Sequence, residues 1–305
     1  MSTYSTYSQD EKELYSEWCS KFDLAWHRLL AIDRQEETQE VKRMGISIDK
    51  EISLNTYLKF CESEPHVIVK YCLIDGKIEA YDIPDDSHAS VQGKLISIMD
   101  GWNNQLIVTG ERDVIMGPRS VYRGDINVRP KHLQPQQPQR PQPLRAGRHC
   151  PNLVVEIGNT ESLSHLHEMV VGYFSLQTTI QLYLTIKLFP PCPRNNTFAL
   201  LALLYSRNNP NPTIPIIVKS FGTAPLSAAT RNYLQNTINV PVNIITGVGF
   251  EAVPCNMVNI PEYQLAIPTN QLFNGARGGV PIDIPQNFYI DLFVLQDVYQ
   301  NALEN

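Results

Sequence analysis

The chain of 305 residues is long enough for one large domain or two small ones. Its hydrophobic fraction of 43% suffices for a packed core, and its charged fraction of 18% is low for a globular protein. The formal net charge of -6 excludes binding to nucleic acid by bulk positive charge. Any contact with DNA therefore needs a local basic strip, or a metal ion that offsets the phosphate charge.

The six cysteines are spread along the chain without close pairs, which fits neither a zinc site nor a small disulfide framework. The polar first residues are unlike a signal peptide, and no apolar run is long enough to span a bilayer. These features predict an intracellular, reducing compartment, cytoplasmic or nuclear, and no membrane partner.

Residues 1–45 predict a polar tail, an amphipathic helix and a charged linker at 34–43. Ser8 and Glu11 have the spacing of a capping box, which marks the start of a helix. Large apolar residues then recur at four-residue steps and form one stripe: Leu14, Trp18, Phe22, Trp26 and Leu30. This stripe predicts a helix that packs on the core or on a partner chain.

The stretch 46–207 predicts a core of strands and helices. A short helix is expected over 54–61, and two β-rich runs, 66–74 and 77–83, flank an Asp-Gly pair, which is a strong hairpin signal. Two further short strands are expected at 106–109 and 113–116.

A helix is expected between that hairpin and those two strands, capped by Asp86 or Ser87 and running to about residue 103. His88 lies in its first turn, where a side chain can reach a site at the edge of a sheet. A histidine on an apolar helix face is more often a core residue than a catalyst, so both interpretations of His88 stay open.

Two acidic residues lie inside apolar, strand-like runs: Asp125 in the run 120–129 and Glu156 in the run 152–157. Burial of a carboxylate without a partner is costly, so each needs a reason to be there. Because side chains alternate along a strand, Arg123 and Asn127 are expected on the face of Asp125. On the second strand, Asn152 and Val154 are expected to share the face of Glu156.

Neighbouring strands lie about 5 Å apart, so these two carboxylates can share one Mg²⁺ or Mn²⁺. Such an ion lowers the pKa of a bound water and neutralises charge on a phosphate. Ordinary salt bridges to Arg123 or Arg129 account for the same two residues equally well, and the spacing alone leaves both interpretations open.

The remaining chain predicts a helix over 162–176, strands at 180–189, 197–205 and 213–219, and a Pro/Gln-rich loop at 131–149. The stretch 208–305 is expected to be a C-terminal extension packed on the core and used in a homodimer. It contains a helix candidate at 226–234, a strand at 242–246, and a final strand and helix from residue 288 onward.

Several short motifs follow one another between residues 55 and 205. They are Tyr-Cys-Leu-Ile-Asp-Gly at 71–76, His88, Gly-Asp at 124–125, Pro-Asn-Leu-Val-Val-Glu-Ile at 151–157, Met-Val-Val-Gly-Tyr at 169–173 and Leu-Tyr-Leu-Thr at 182–185. About half of the chain thereby resembles the Uma-type family of putative restriction endonucleases, a branch of the PD-(D/E)XK nuclease superfamily.

The resemblance implies an α/β fold, with a restriction-endonuclease-like mixed central sheet flanked by helices. It also implies Mg²⁺ or Mn²⁺ bound by Asp125 and Glu156, with DNA as the partner. The chain departs from the family at two positions: Cys72 stands where the family has glutamate, and Met169 where it has the lysine that orients the attacking water. His165, one turn before Met169, and Lys187, on the following strand, are candidates to replace that lysine.

Two functions are therefore in competition. The first is a metal-dependent endonuclease in which Asp125 and Glu156 hold the metal and His88, with His165 or Lys187, assists at the phosphate. The second is a degenerate relative that keeps the nuclease fold as a binding or assembly protein.

Overall fold

A computed structural model of the chain describes residues 7–33, 45–63, 65–133 and 150–304. The first six residues of the predicted tail, the predicted linker 34–43 and the Pro/Gln-rich loop from residue 134 onward lie outside the described residues. Within these ranges the chain forms seven α-helices: α1 (Gln9–Asp33), α2 (Leu54–Glu62), α3 (Asp86–Asp100), α4 (Leu163–Tyr173), α5 (Ala228–Asn236), α6 (Thr269–Leu272) and α7 (Leu292–Leu303).

The same ranges contain fourteen strands. In chain order they are β1 (Ile46–Asp49), β2 (Lys70–Ile74), β3 (Lys77–Asp82), β4 (Leu106–Thr109), β5 (Arg112–Gly117), β6 (Ser120–Gly124), β7 (Ile126–Pro130), β8 (Leu153–Gly158), β9 (Leu182–Leu188), β10 (Ala199–Ser206), β11 (Ile217–Gly222), β12 (Ile245–Gly247), β13 (Gln264–Pro268) and β14 (Asn287–Asp291). Short 3-10 helices precede β12 and β13.

The strands form three sheets. A seven-stranded sheet has the order β12-β11-β10-β9-β8-β7-β4, in which β8–β9 and β11–β12 are parallel and the other pairs antiparallel. A five-stranded antiparallel sheet has the order β1-β3-β2-β6-β5, and β13 pairs with β14. Helices pack on both faces of the seven-stranded sheet, which confirms the predicted α/β class with a mixed central sheet.

The N-terminal helix begins as its sequence predicts. The amide of Ser8 donates to Glu11 and the amide of Glu11 to the Ser8 hydroxyl, which is a reciprocal capping box. The buried stripe, however, is Tyr15, Trp18, Phe22, Ala25 and Leu29. A strict four-residue step drifts away from the buried face, because an α-helix repeats every 3.6 residues. The helix covers the five-stranded sheet together with α2.

The hairpin β2–β3 turns at Asp75 and Gly76, whose φ angles of 49° and 80° are left-handed. Such a two-residue turn matches the twist of antiparallel strands and fixes their register. A one-residue register shift between Tyr71 and Lys70 then places Lys70, at the start of β2, opposite Asp82 at the end of β3.

The predicted strand 120–129 is broken at Asp125. β6 and β7 are separated by this one residue, yet they belong to different sheets. The regular alternation of side chains therefore stops at Asp125, which corrects the expectation that Arg123, Asp125 and Asn127 share one face. The backbone carbonyl of Asp125 accepts a 2.8 Å hydrogen bond from Gln92 of α3, which fixes the corner between the two sheets.

β8 is buried on both faces, as expected for a strand in the middle of a sheet. Leu153, Val155 and Ile157 pack in the cluster that contains α3 and α7, whereas Val154 packs with α4. The C-terminal residues take part in the same cores, because β11 and β12 extend the central sheet and α7 packs on α3. The division at residue 207 stays a prediction. β1, β13 and α6 were not predicted.

Candidate functional site

Asp125 is a completely buried carboxylate at the corner between the two sheets. Its Oδ2 accepts a 2.7 Å hydrogen bond from the amide of Ile157, and it lies 2.8 Å from Nζ of Lys70 and 3.3 Å from Nε2 of His88. Its Oδ1 accepts no hydrogen bond within the described residues. One oxygen is thus fixed by three partners while the other keeps its lone pairs.

Glu156, also completely buried, approaches the same point from β8. Its Oε2 lies 3.4 Å from Nζ of Lys70, and its Oε1 accepts a hydrogen bond from the hydroxyl of Tyr173. The two carboxylates therefore converge on one cation, the ammonium of Lys70. The alternative of salt bridges to arginine is wrong, because Arg123 Nε donates to Asp113 at 2.9 Å and Arg129 Nη1 to a backbone carbonyl.

Sequence reasoning missed Lys70, which is 7% exposed. The available signal was a lysine inside the run 66–74, which is otherwise apolar and contains no acidic residue. Its ammonium also lies 4.0 Å from Oδ2 of Asp82, so three buried carboxylates surround it. A lysine buried this deeply requires such partners.

The surroundings of the two carboxylates shift their pKa values in opposite directions. Burial alone would raise the pKa of Asp125, but the charges of Lys70 and His88 outweigh it and hold that pKa below its usual range. Burial raises the pKa of Glu156 to about 8, and the charge of Asp125 adds to the effect while Lys70 opposes it. Near neutral pH the site therefore holds one firmly ionised carboxylate beside one that readily keeps a proton.

Lys70 stays protonated in the same surroundings. Burial works against the ammonium, but the neighbouring Asp125 and Glu156 outweigh burial and raise the pKa of Lys70 well above its usual value.

His88 is the predicted catalytic histidine that the fold brings to the carboxylates. It lies in the first turn of α3, but the N-cap is Asp85, whose side chain accepts from the amide of His88 at 2.8 Å. The predicted caps, Asp86 and Ser87, are therefore wrong by one or two residues. His88 is 1% exposed, and Nδ1 of its ring has no hydrogen-bond partner within the described residues.

His165 belongs to an adjacent acidic cluster. Its ring lies 4.9 Å from the ring of Tyr81, and its Nε2 is 3.4 Å from Oε1 of Glu161. Glu161 in turn donates its amide to Asp82 at 2.8 Å. Burial, with the charge of Lys70 adding to it, lowers the pKa of His165 to about 4. Burial also raises the pKa of Glu161, so a neutral imidazole faces a carboxyl group that holds its proton.

Lys187 lies on β9, where it is paired with Gly158, two residues after Glu156. Its ammonium donates a 2.5 Å hydrogen bond to the carbonyl of Asn159 and lies 5.4 Å from the centre of the Phe189 ring. These contacts place it at the loop that follows β8.

The two positions that depart from the family carry no charge into the site. Met169 is 1% exposed and packs in the apolar cluster of α4 with Tyr173 and Tyr183. Cys72 is completely buried in the same cluster, and burial raises the pKa of its thiol well above the usual value. Met169 is therefore a core residue of the described structure.

A pocket of about 470 Å³ lies against this centre. Two cations, Lys70 and Arg123, and one acid, Glu111, line it, together with apolar residues such as Pro65 and Pro84. Asp125 and Glu156 do not line it within the described part of the chain. Of the three groups Lys70, Asp125 and Glu156, Lys70 is therefore the one that lines the pocket.

The donor set suits a metal ion held by few protein ligands. Among the described residues, no three His, Cys, Asp or Glu side chains form a metal-binding group. Mg²⁺, however, is usually held by one or two carboxylates together with water and substrate phosphate. The orphaned, buried Oδ1 of Asp125 retains lone pairs for such an ion, with the carboxylate of Glu156 beside it. Asp125 and Glu156 therefore fit a two-carboxylate site in the chemistry of their donors.

A search of the described helices finds none with the length and hydropathy needed to cross a bilayer.

Comparisons with known proteins agree with the motifs. Residues 54–207 match the family model Uma2, described as a putative restriction endonuclease, which is half of the chain. A solved structure, a putative nuclease belonging to DUF820 from Anabaena variabilis, is 15% identical, with a TM-score of 0.39; the match covers 59% of this chain and 92% of that one. No curated protein matches the chain.

Proposed function

Because this chain belongs to the Uma2 family of putative restriction endonucleases, we propose that its Asp125–Glu156 centre hydrolyses phosphodiester bonds in DNA. The observation that carries the proposal is the convergence of both carboxylates on one cation, at a buried corner that adjoins a pocket. A buried carboxylate with a perturbed pKa and a specific charge partner, next to a cavity, is a mark of a functional site.

We propose Mg²⁺ or Mn²⁺ as the cofactor, with Asp125 and Glu156 as its protein ligands. When bound, such an ion supplies charge neutralisation at the phosphate. The chain itself prepares the site. The amide of Ile157 fixes one oxygen of Asp125, and the hydroxyl of Tyr173 fixes one oxygen of Glu156, so both carboxylates are oriented before a ligand arrives.

His88 completes the arrangement. Its Nε2 faces Asp125 at 3.3 Å, and its helix start is fixed by the cap at Asp85. A neutral or protonated imidazole in this position orients the carboxylate that it contacts, as outer-shell groups do at metal sites.

A second candidate function is a binding protein that keeps the fold without cleavage. Met169 and Cys72, which stand at two positions where the family has charged residues, favour it because both are buried in the apolar core. Such a protein would bind DNA with the same affinity whether or not Asp125 can hold a metal ion.

The experiment that separates these functions is a titration of the purified chain with Mg²⁺ and Mn²⁺ on plasmid DNA and on labelled oligonucleotides. We expect metal-dependent cleavage that falls at least about a hundredfold in Asp125→Asn and in Glu156→Gln. The exposed acids Asp100 and Glu168 provide matched controls, as Asp100→Asn and Glu168→Gln. Cleavage that survives both site substitutions contradicts the proposal. DNA binding without cleavage at any metal concentration favours the second function.

A further inference from the structure

We propose that Lys70 is the cationic catalytic residue of this centre, acting from β2 in place of a lysine on α4. The inference rests on the proposed function and adds a residue to it. Lys70 is separated from Asp125 by 55 residues and from Glu156 by 86, so its arrival at both carboxylates is a product of the fold.

Sheet topology delivers the ammonium to the site. β2 pairs with β6, and β6 leads directly into Asp125. Lys70 begins β2 and Asp82, opposite it, ends β3. The hairpin turn at Asp75-Gly76 sets the pairing of β2 with β3 as far as Tyr71, and a register shift between Tyr71 and Lys70 then places Lys70 opposite Asp82.

The ammonium has hydrogen-bonding capacity left for a substrate. A lysine has three N–H donors. Two of them serve Asp125 Oδ2 at 2.8 Å and Glu156 Oε2 at 3.4 Å. Asp82 Oδ2, at 4.0 Å, lies beyond hydrogen-bond distance. The third donor is thus not used by any hydrogen bond among the described residues.

Lys70 both lines the pocket and contacts the two carboxylates. It lines the cavity of about 470 Å³ together with Arg123, whereas Asp125 and Glu156 lie completely buried behind it. A phosphate in this pocket therefore lies against Lys70, whereas neither carboxylate lines the cavity. Negative charge that develops on the phosphate oxygens during attack by water is stabilised by a fixed cation at that point.

A lysine at this position explains how the chain dispenses with a charge at Met169. Met169 lies one turn before Tyr173 on α4, and the hydroxyl of Tyr173 reaches Glu156. A purely structural lysine would neutralise the carboxylates equally well, but its loss would lower stability rather than the rate of the bound complex.

The test compares Lys70→Met, Lys70→Arg and the exchange variant Lys70→Met/Met169→Lys with the wild type. Lys77→Met, the same change at an exposed lysine of the same hairpin, is the matched control. Three quantities are measured: the single-turnover cleavage rate at saturating DNA, the Kd for DNA in EDTA, and the melting temperature. Asp125→Asn is included so that the centre itself is verified in parallel.

We expect Lys70→Met to lower the single-turnover rate by about 10²–10³, with a smaller loss in Lys70→Arg and a partial recovery in the exchange variant. Lys77→Met is expected to match the wild type. Should Lys70→Met melt below the assay temperature, Lys70→Gln decides, because it removes the charge and keeps N–H donors in the buried site. A rate reduced at least about tenfold in a folded variant without the charge supports the proposal, and a wild-type rate overturns it.

The two proposals fail in different ways. If the wild type cleaves DNA and Asp125→Asn does not, but Lys70→Met cleaves at the wild-type rate, the role of Lys70 is wrong and the nuclease centre stands. If the wild type does not cleave, the proposed function and the role of Lys70 fall together.

Discussion

The hydroxyl of Tyr173 donates a hydrogen bond to Oε1 of Glu156 and so joins α4 to β8 across the buried centre. Because burial favours the neutral form of Glu156, this bond joins two neutral groups, and such a bond contributes about 0.5–1.5 kcal/mol. We predict that Tyr173→Phe lowers the free energy of unfolding by about that amount and also lowers DNA cleavage, because Glu156 loses the group that orients it. Urea unfolding and single-turnover cleavage measure the two effects.

Tyr183→Phe is the control for this substitution. Tyr183 is equally buried and donates a 2.9 Å hydrogen bond, but to the backbone carbonyl of Leu166. It should lose about 0.5–1.5 kcal/mol of stability and keep the wild-type cleavage rate. Equal loss of cleavage in the two variants would show that Tyr173 acts through packing alone.

The two carboxylates should respond differently to neutralisation. Asp125, whose pKa is held low by Lys70 and His88, forms a compensated buried pair. Asp125→Asn removes one partner of that pair, so it should destabilise the protein by about 3–5 kcal/mol. Glu156→Gln should cost much less, because burial already favours the neutral form of Glu156. Urea unfolding at pH 7 in EDTA measures both.

Glu156 should also give stability a definite pH dependence. Burial raises its pKa from 4.5 to about 8, so the folded protein holds a proton that the unfolded chain has released. The contribution is present below the unfolded pKa and is lost as pH rises from about 4.5 to about 8. We predict that Glu156→Gln flattens the fall of the melting temperature over this window in EDTA. A pH profile parallel to that of the wild type would show that Glu156 is ionised in the folded state.

The parts of the fold that local chemistry controls could be predicted from the sequence. The Asp75-Gly76 turn needs left-handed residues, the Ser8–Glu11 cap needs two side chains three residues apart, and both occur as predicted. The convergence of Asp125 and Glu156 followed from pairing between two adjacent strands, which the register of β7 and β8 provides.

Features that depend on distant contacts escaped prediction. A strand that leaves one sheet for another at Asp125 has no local signal, because the break is fixed by partners of β6 and β7 elsewhere in the chain. Lys70 was missed for the same reason, since its carboxylate partners lie 55 and 86 residues away. Sequence alone therefore predicted that Asp125 and Glu156 lie together, but not that the ammonium of Lys70 lies between them.

His165 provides a second, opposite pH dependence. Tyr81 and Glu161 lie against its ring, and burial, with the charge of Lys70 adding to it and that of Asp82 opposing it, lowers the pKa of His165 from 6.5 to about 4. Between these values the unfolded chain binds the proton and the folded protein does not, so the contribution of His165 is present above about 6.5 and is lost as pH falls toward 4. The full effect is on the order of 3 kcal/mol.

We predict that His165→Gln removes this acid-side loss of stability. The measurement is the difference in unfolding free energy between variant and wild type at several pH values between 4 and 7, which cancels the slope from the carboxylates. His27, an exposed histidine of α1, gives the matched substitution His27→Gln at the surface. A difference that stays constant with pH for His165→Gln would mean that His165 takes up its proton in the folded state.

A substitution at Gly124 tests how the corner between the sheets positions Asp125, because it leaves the functional groups of the site unchanged. A Cβ at Gly124 would lie 2.6 Å from Cγ1 of Val154, in the middle of the central sheet. The strand must then shift, and the carboxylate of the next residue shifts with it. We predict that Gly124→Ala lowers the unfolding free energy by about 1–3 kcal/mol and lowers DNA cleavage about tenfold or more. Gly117→Ala, where an added Cβ meets no heavy atom within 4 Å, should leave both quantities unchanged. Full cleavage by a destabilised Gly124→Ala would show that the site tolerates movement of the corner, and that the position of Asp125 is not what limits the rate.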